Sequence, residues 1–178
     1  MLTRERISTQ ENPLFPLCWG LYESAFPLEE RRAHDYHIET LERPNYHFEA
    51  ILDQSQPIGF IGWWDLNEMV YIEHFATSPT LRGGGYGGRV LQQFIEQMQR
   101  PIILEVEHPT DNISQRRIGF YQRLGFQLNQ HPYSHPSYQQ PSDERVSLMI
   151  MTHPAEVSYE QLENFSHNHI PLIHFRSR

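Results

Sequence analysis

"TLRGGGYGGRVL", residues Thr80 to Leu91, sets five glycines into the six positions from Gly83 to Gly88 and then runs straight into an apolar stretch. Tyr86, Val90, Leu91, Phe94, Ile95 and Met98 fall on one stripe at helical spacing, closed by Pro101. Upstream, "MVYIEHFATS" (69–78) is rich in β-branched and aromatic residues, as strands are. A strand, a glycine turn and a helix in succession make an anion site. The first N–H groups of a helix lack internal partners, and the macrodipole is positive there. Glycines let a phosphate approach that backbone closely, whereas five of them in a merely flexible turn would cost conformational entropy without return.

Outward from the turn, "YHFEAIL", "PIGFIGWWDL" and "MVYIEHFATS" read as three strands separated by turn signals at Asp53–Pro57 and Leu66–Glu68, hence antiparallel. Before them, Leu17, Leu21 and Ala25 recur at i, i+4 and i+8; this helix breaks at Pro27 and a second begins. Beyond the long helix, "PIILEVE" reads as a buried strand and "NISQRRIGFYQRL" as a helix closed by Gly125. "GFQLN" and "RVSLMIM" are two more strands, around a loop rich in Pro, Tyr and His. "SYEQLENF" is a short helix with Ser158 placed to cap it. The expected fold is α/β in the α+β sense, a mixed, mostly antiparallel sheet of six to seven strands flanked by helices. Residues 1–154 form the domain, and 155–178 a C-terminal helix and tail, part of it or packed on it.

A Walker loop is excluded, because it needs a lysine and all fourteen basic residues of this chain are arginine. Gly83, Gly85 and Gly88 do satisfy the dinucleotide pattern G-x-G-x-x-G, with Glu105 or Glu107 at about the distance that holds a ribose. Against it, a dinucleotide fold opens with its parallel strand and glycine loop, while here antiparallel strands come first and Pro79–Arg82 intervene. The formal charge of -8 excludes a nucleic-acid surface and favours a cationic small partner. No apolar run reaches the length of a membrane span. "MLTRERISTQENP" lacks the apolar core of a signal peptide and the single Cys18 has no internal partner, so the expected location is the cytoplasm. The eleven histidines form pairs without a third ligand at recognisable spacing, and no metal is expected.

Arg82-x-x-Gly85-x-Gly87 resembles the loop of the GNAT superfamily of N-acetyltransferases, in which Arg or Gln, then x-x-Gly-x-Gly or Ala, cradles the pyrophosphate of acetyl-CoA. "FYQRLGF", Phe120 to Phe126, is similar to the late Tyr-x-x-x-Gly-Phe motif of that family, and the order of elements matches over roughly the first 150 residues. The resemblance implies acetyl-CoA as donor, bound by Arg82, Gly83, Gly84, Gly85, Tyr86, Gly87 and Gly88, with backbone groups of Phe75, Ala76 and Thr77 beside the acetyl carbonyl. Many members carry an Asn seven residues before the Tyr, at the pantetheine arm. Here that position is Ser114 and Asn112 lies two residues earlier, so either residue can fill the role.

Acetyl transfer to an amine must remove a proton, stabilise an oxyanion and protonate the leaving thiolate. Glu73 is the first choice as general base, since alternation puts it on the face of Phe75 and turns His74 away; Glu105 is the runner-up. Tyr121 carries the acid role by carry-over from the family motif. Acceptor selectivity is implied for "ESAFPLEERR", with Glu23, Glu29 and Glu30, and for "NQHPYSHPSYQQPSDE", with Tyr133, Tyr138, His131 and His135. Carboxylates near aromatic faces suit a cation. Trp63 and Trp64 are adjacent on a strand, so at most one faces the cleft, and both read as packing. The expected activity is transfer of acetyl to a primary amine of a small or cationic acceptor, or of a peptide. A nicotinamide-dependent oxidoreductase and a non-catalytic acyl-CoA sensor are the alternatives. The oligomeric state is open, with a homodimer one arrangement. With no lysine, any acetyl group on the protein itself is expected at the N-terminus, Cys18 or a hydroxyl.

Overall fold

The computed structural model describes residues 1–138 and 144–174 and divides into two compact units, Met1–Arg100 and Pro101–Arg178. The part of the Tyr/His/Pro-rich loop at 139–143 lies outside the described residues.

The first unit is a four-stranded antiparallel meander with helices on both faces. Strand β1 (Leu2–Arg6) pairs with β2 (Tyr46–Asp53), β2 with β3 (Gln56–Asp65), and β3 with β4 (Val70–Thr77). Gln54 and Ser55 both take positive φ, 49° and 68°, as a two-residue hairpin turn demands where the flanking strands twist right-handedly. Helices α1 (Phe15–Ala25) and α2 (His34–Leu41) cover one face, joined through a 3₁₀ turn at Leu28–Glu30. Phe15 and His37 meet Phe48 there, and Tyr22 meets Phe60. Helix α3 (Tyr86–Met98) covers the other face with Val90, Leu91 and Phe94, the last against Trp63 at 5.7 Å between ring centroids.

The phase expected for α1 is corrected. Phe15, Cys18 and Tyr22 are its buried residues, and Leu17 is 48% exposed. The sheet beneath is lined by aromatic rings, which take Phe15 and Tyr22 and turn the leucine stripe outward. Cys18 is fully buried, and burial pushes its thiol up to about 12; this corrects its place among self-acetylation sites, because the thiolate is the nucleophile. Trp63 and Trp64 point to opposite faces, Trp64 meeting Tyr46 at 4.7 Å between ring centroids, with the planes tilted by 40°, on the α1/α2 side.

In the second unit β7 (Arg145–His153) pairs antiparallel with both β5 (Ile102–Val106) and β6 (Gln127–Pro136). Helix α4 (Asn112–Arg123) starts at a capping box. The Asp111 carboxylate accepts the Ser114 N–H at 2.8 Å, and the Ser114 hydroxyl accepts the Asp111 N–H. Gly125 follows the helix at φ 90°, as anticipated. Ser158 caps α5 (Tyr159–Asn164), which passes through a π-helical turn at Phe165–His169 into α6 (Ile170–His174). Leu162, Phe165, Ile170 and Ile173 are buried, so the C-terminal segment adds to a core. The seven strands belong to one mixed sheet flanked by helices, the fold class expected. No helix among the described residues is long and apolar enough to cross a membrane.

Candidate active site

The glycine turn is built from β4 outward. After Thr77 a 3₁₀ turn, Pro79–Leu81, takes the chain off the sheet; its last carbonyl accepts the Gly84 N–H at 3.2 Å. Gly83 and Gly85 have φ of 84° and 69°, a region that a side chain makes costly, and each lies in open space. Gly85 is the N-cap of α3, and no side chain caps the helix. The first intrahelical bond runs from the Arg89 N–H to the Gly85 carbonyl at 3.1 Å, so the N–H groups of Tyr86, Gly87 and Gly88 have no acceptor within the helix. No acidic side chain stands in this first turn. Arg82 is exposed beside it, and the Arg89 guanidinium lies 4.3 Å over the Tyr86 ring. The turn therefore offers bare N–H groups, the positive end of a helix and arginines to an anion.

Strand β4 is not regular. The β3 register passes from Gly62↔His74 to Trp63↔Ile72, leaving Glu73 as the extra residue of a bulge. Two expectations are thereby corrected. Phe75 lies opposite Ile61, on the face that Trp63 presents to α3, while Glu73 turns to the α1/α2 side. His74 turns to that side as well, with Tyr22 and Phe26 each at 4.8 Å. The bulge shifts alternation by one and puts two consecutive side chains on one face.

Glu73 is held there tightly. Its oxygens accept from Arg32 Nη1 at 2.9 Å, Arg32 Nη2 at 2.5 Å and Trp64 Nε1 at 2.8 Å, and neither Glu73 nor Arg32 exposes any side-chain surface. Arg32 was not singled out in the sequence; no local pattern marks a partner 41 residues away. Phe75, Ala76 and Thr77 are half-buried.

In the second unit, Tyr121 is half-buried, edge-on to Phe126 at 5.6 Å, and burial raises its phenol above the ordinary value, with Arg117 opposing. Ser114 is buried, and its hydroxyl is spent on Asp111, whereas Asn112 is exposed at the first position of α4. Glu105 on β5 accepts a hydrogen bond from the Tyr133 hydroxyl, and its other oxygen lies 3.8 Å from His135 Nε2. His135 packs against Tyr138 at 5.1 Å and against His174 of α6 at 4.1 Å. Burial, then the Glu105 charge, pushes the Tyr133 phenol well above its ordinary value, so the proton stays on Tyr133. Among the described residues no group of three or more His, Cys, Asp or Glu side chains is placed to hold a metal ion.

A mixed sheet flanked by helices, with a glycine turn opening a helix toward an anion, is the acyl-CoA N-acyltransferase fold. The chain belongs to the GNAT acetyltransferase family, whose model matches residues 12–126. It is similar to a GNAT-family protein from Bacteroides thetaiotaomicron, with 36% identity, TM-score 0.91 and coverage of 98% of this chain and 99% of the other. The ribosomal-protein-S18-alanine N-acetyltransferase of Escherichia coli matches at 18% identity and TM-score 0.62, over 90% of this chain and 97% of its own. A GNAT-family acetyltransferase of Elizabethkingia anophelis, solved with acetyl-CoA bound, matches at 15% identity and TM-score 0.55, over 85% and 96%. A sequence comparison with curated proteins finds no match.

Proposed function

We propose that the protein moves the acetyl group of acetyl-CoA directly to a primary amine of a small or cationic acceptor. The observation that carries this reading is the glycine turn, where Gly83 and Gly85 hold positive φ and the first N–H groups of α3 stand without intrahelical acceptors, in a chain of the GNAT family. The donor pyrophosphate takes those N–H groups with Arg82. Asn112 rather than Ser114 serves the pantetheine arm, because the Ser114 hydroxyl already closes the capping box.

The amine attacks the thioester carbonyl carbon, a C–N bond forms, the C–S bond breaks, and Tyr121 gives its proton to the leaving thiolate. The amine proton goes to a carboxylate, directly or through water. We assign that role to Glu105 in preference to Glu73. The guanidinium and indole already occupy both oxygens of Glu73, which exposes no side-chain surface, whereas Glu105 is 12% exposed, with one oxygen on the Tyr133 hydroxyl and the other 3.8 Å from His135 Nε2. Glu105→Gln is expected to lower kcat by on the order of 10²-fold or more, and Glu73→Gln to act on acceptor KM instead.

The deciding experiment is a thermal melt of the protein alone and with acetyl-CoA, desulfo-CoA or NAD(P)H, followed by thiol release with spermidine, an alanine-initiated tetrapeptide and kanamycin as amines. Ligand at about a hundred times its dissociation constant adds roughly 2.7 kcal/mol, several degrees in midpoint. Stabilisation by both CoA compounds and not by nicotinamides is the expected result. Stabilisation by a nicotinamide alone would replace this reading with an oxidoreductase. Binding of acetyl-CoA with no thiol release from any amine would favour an acyl-CoA sensor.

A further inference from the structure

Between Pro27 and Ala33 the only buried residue is Arg32. The 3₁₀ turn in this loop buries nothing, Leu28 is 58% exposed, and no side chain caps α2 behind it. Apolar burial does not hold the loop; polar contacts do. The Arg32 N–H donates to the Tyr22 hydroxyl at 2.8 Å, and Arg31 meets Glu23 at 3.1 Å. Two further contacts end on consecutive residues of β4. The Arg32 guanidinium grips Glu73, and His74 Nε2–H donates to the Glu30 carbonyl at 2.7 Å. A regular strand would turn those two side chains to opposite faces, so the bulge is what allows both to reach one loop. The guanidinium also lies over the rings of Tyr36, Tyr46 and Trp64 at 5.7, 5.5 and 5.7 Å, and the Trp64 indole N–H also donates to the carboxylate.

A fully desolvated ion pair adds little stability over well-packed apolar residues of similar volume, but its bidentate geometry is strict. From the bulge, β4 runs on to Thr77 and the glycine turn. On the acetyl-transfer reading, a donor seated at that turn would reach back along β4 toward the bulge that holds the loop.

We propose that Arg32 and Glu73, seconded by His74, latch the loop 27–33 onto the bulge of β4, and that this latch positions the amine acceptor. Arg32 and Glu73 are positioning residues and touch no reacting atom. The proposal rests on the acetyl-transfer reading for what is positioned, not for the latch itself.

The test compares wild type with Arg32→Met, Arg32→Lys, Glu73→Gln and the double change Arg32→Met with Glu73→Leu, which leaves no buried charge unpaired. Hydrogen exchange should rise by roughly tenfold or more in 27–33 for Arg32→Met and the double variant, with the β2 and β3 amides unchanged. Acetyl-CoA affinity by calorimetry should stay within about twofold. With whichever probe amine wild type turns over, acceptor KM should rise by roughly tenfold or more while kcat moves less than about threefold, and Arg32→Lys should recover part of the loss. Unchanged exchange in 27–33 in both the double variant and Glu73→Gln would overturn the latch. Loss of acetyl-CoA affinity in step with loop protection, or an unmoved acceptor KM, would overturn the positioning role. If wild type binds no acetyl-CoA, the donor reading fails on its own, and the exchange arm still decides whether the loop is latched.

Discussion

His37 sits in the first unit with no exposed surface, edge-on to Phe48 at 4.6 Å and against Trp19 and Tyr22 at 5.0 and 5.3 Å. Among the described residues neither ring nitrogen has a hydrogen-bond partner. Burial first, then the charges of Arg32, His74 and His34, hold its pKa well below the ordinary value, with Glu73 opposing. The folded state therefore refuses a proton that the unfolded chain accepts near pH 6.5. Stability from this residue is complete above about pH 6.5 and is lost as pH falls from there toward the folded value. His37→Phe is expected to flatten the acid limb of the stability curve by up to about 1.4 kcal/mol per pH unit, measured by urea unfolding between neutral and mildly acidic pH. Equal slopes in the two proteins would mean that His37 is charged in the core. His47, stacked on Trp63 and held down to about 4 chiefly by burial, contributes a slope of the same sign that remains in both. At this scale the sequence was legible where backbone conformation selects the residue, as at Gly83 and Gly85, and silent where a partner does, as at Arg32.

Among the elements, helix ends were the easiest to read. Ser158 closes a reciprocal box, its hydroxyl accepting the Gln161 N–H at 3.2 Å while the Gln161 side chain accepts the Ser158 N–H at 2.8 Å. Ser158→Ala should cost about 1 kcal/mol in urea unfolding, with Ser158→Asp close to wild type. A loss much below that would show that packing of Leu162 and Phe165 alone sets the start of α5. Behind this cap the buried Asn129 amide donates to Thr152 Oγ1 at 2.9 Å, and its carbonyl accepts the Val157 N–H at 3.1 Å, tying β6 to the link between β7 and α5. The stripe of α3 was also legible, because one face alone is apolar. Helix α1 was not, because leucines and aromatics mark two phases and only the sheet beneath chooses between them.

For the whole molecule, a formal charge of -8 with no lysine places an acidic field around any bound amine. The KM for spermidine should therefore rise as salt increases from 50 to about 300 mM, where screening shortens to well under 10 Å, while a neutral-bodied monoamine changes little. A flat response for both would assign acceptor binding to short-range contacts alone. The succession of elements from α1 to α5, the glycine turn and the Ser158 cap were determined by sequence alone, because periodicity, turn chemistry and capping act between residues a few positions apart. The side of the sheet that Glu73 faces, the phase of α1 and the pairing of Arg32 with Glu73 were decided only in the tertiary structure. A bulge is a property of two strands in register, and an ion pair 41 residues apart exists only once the loop, helix and sheet have met.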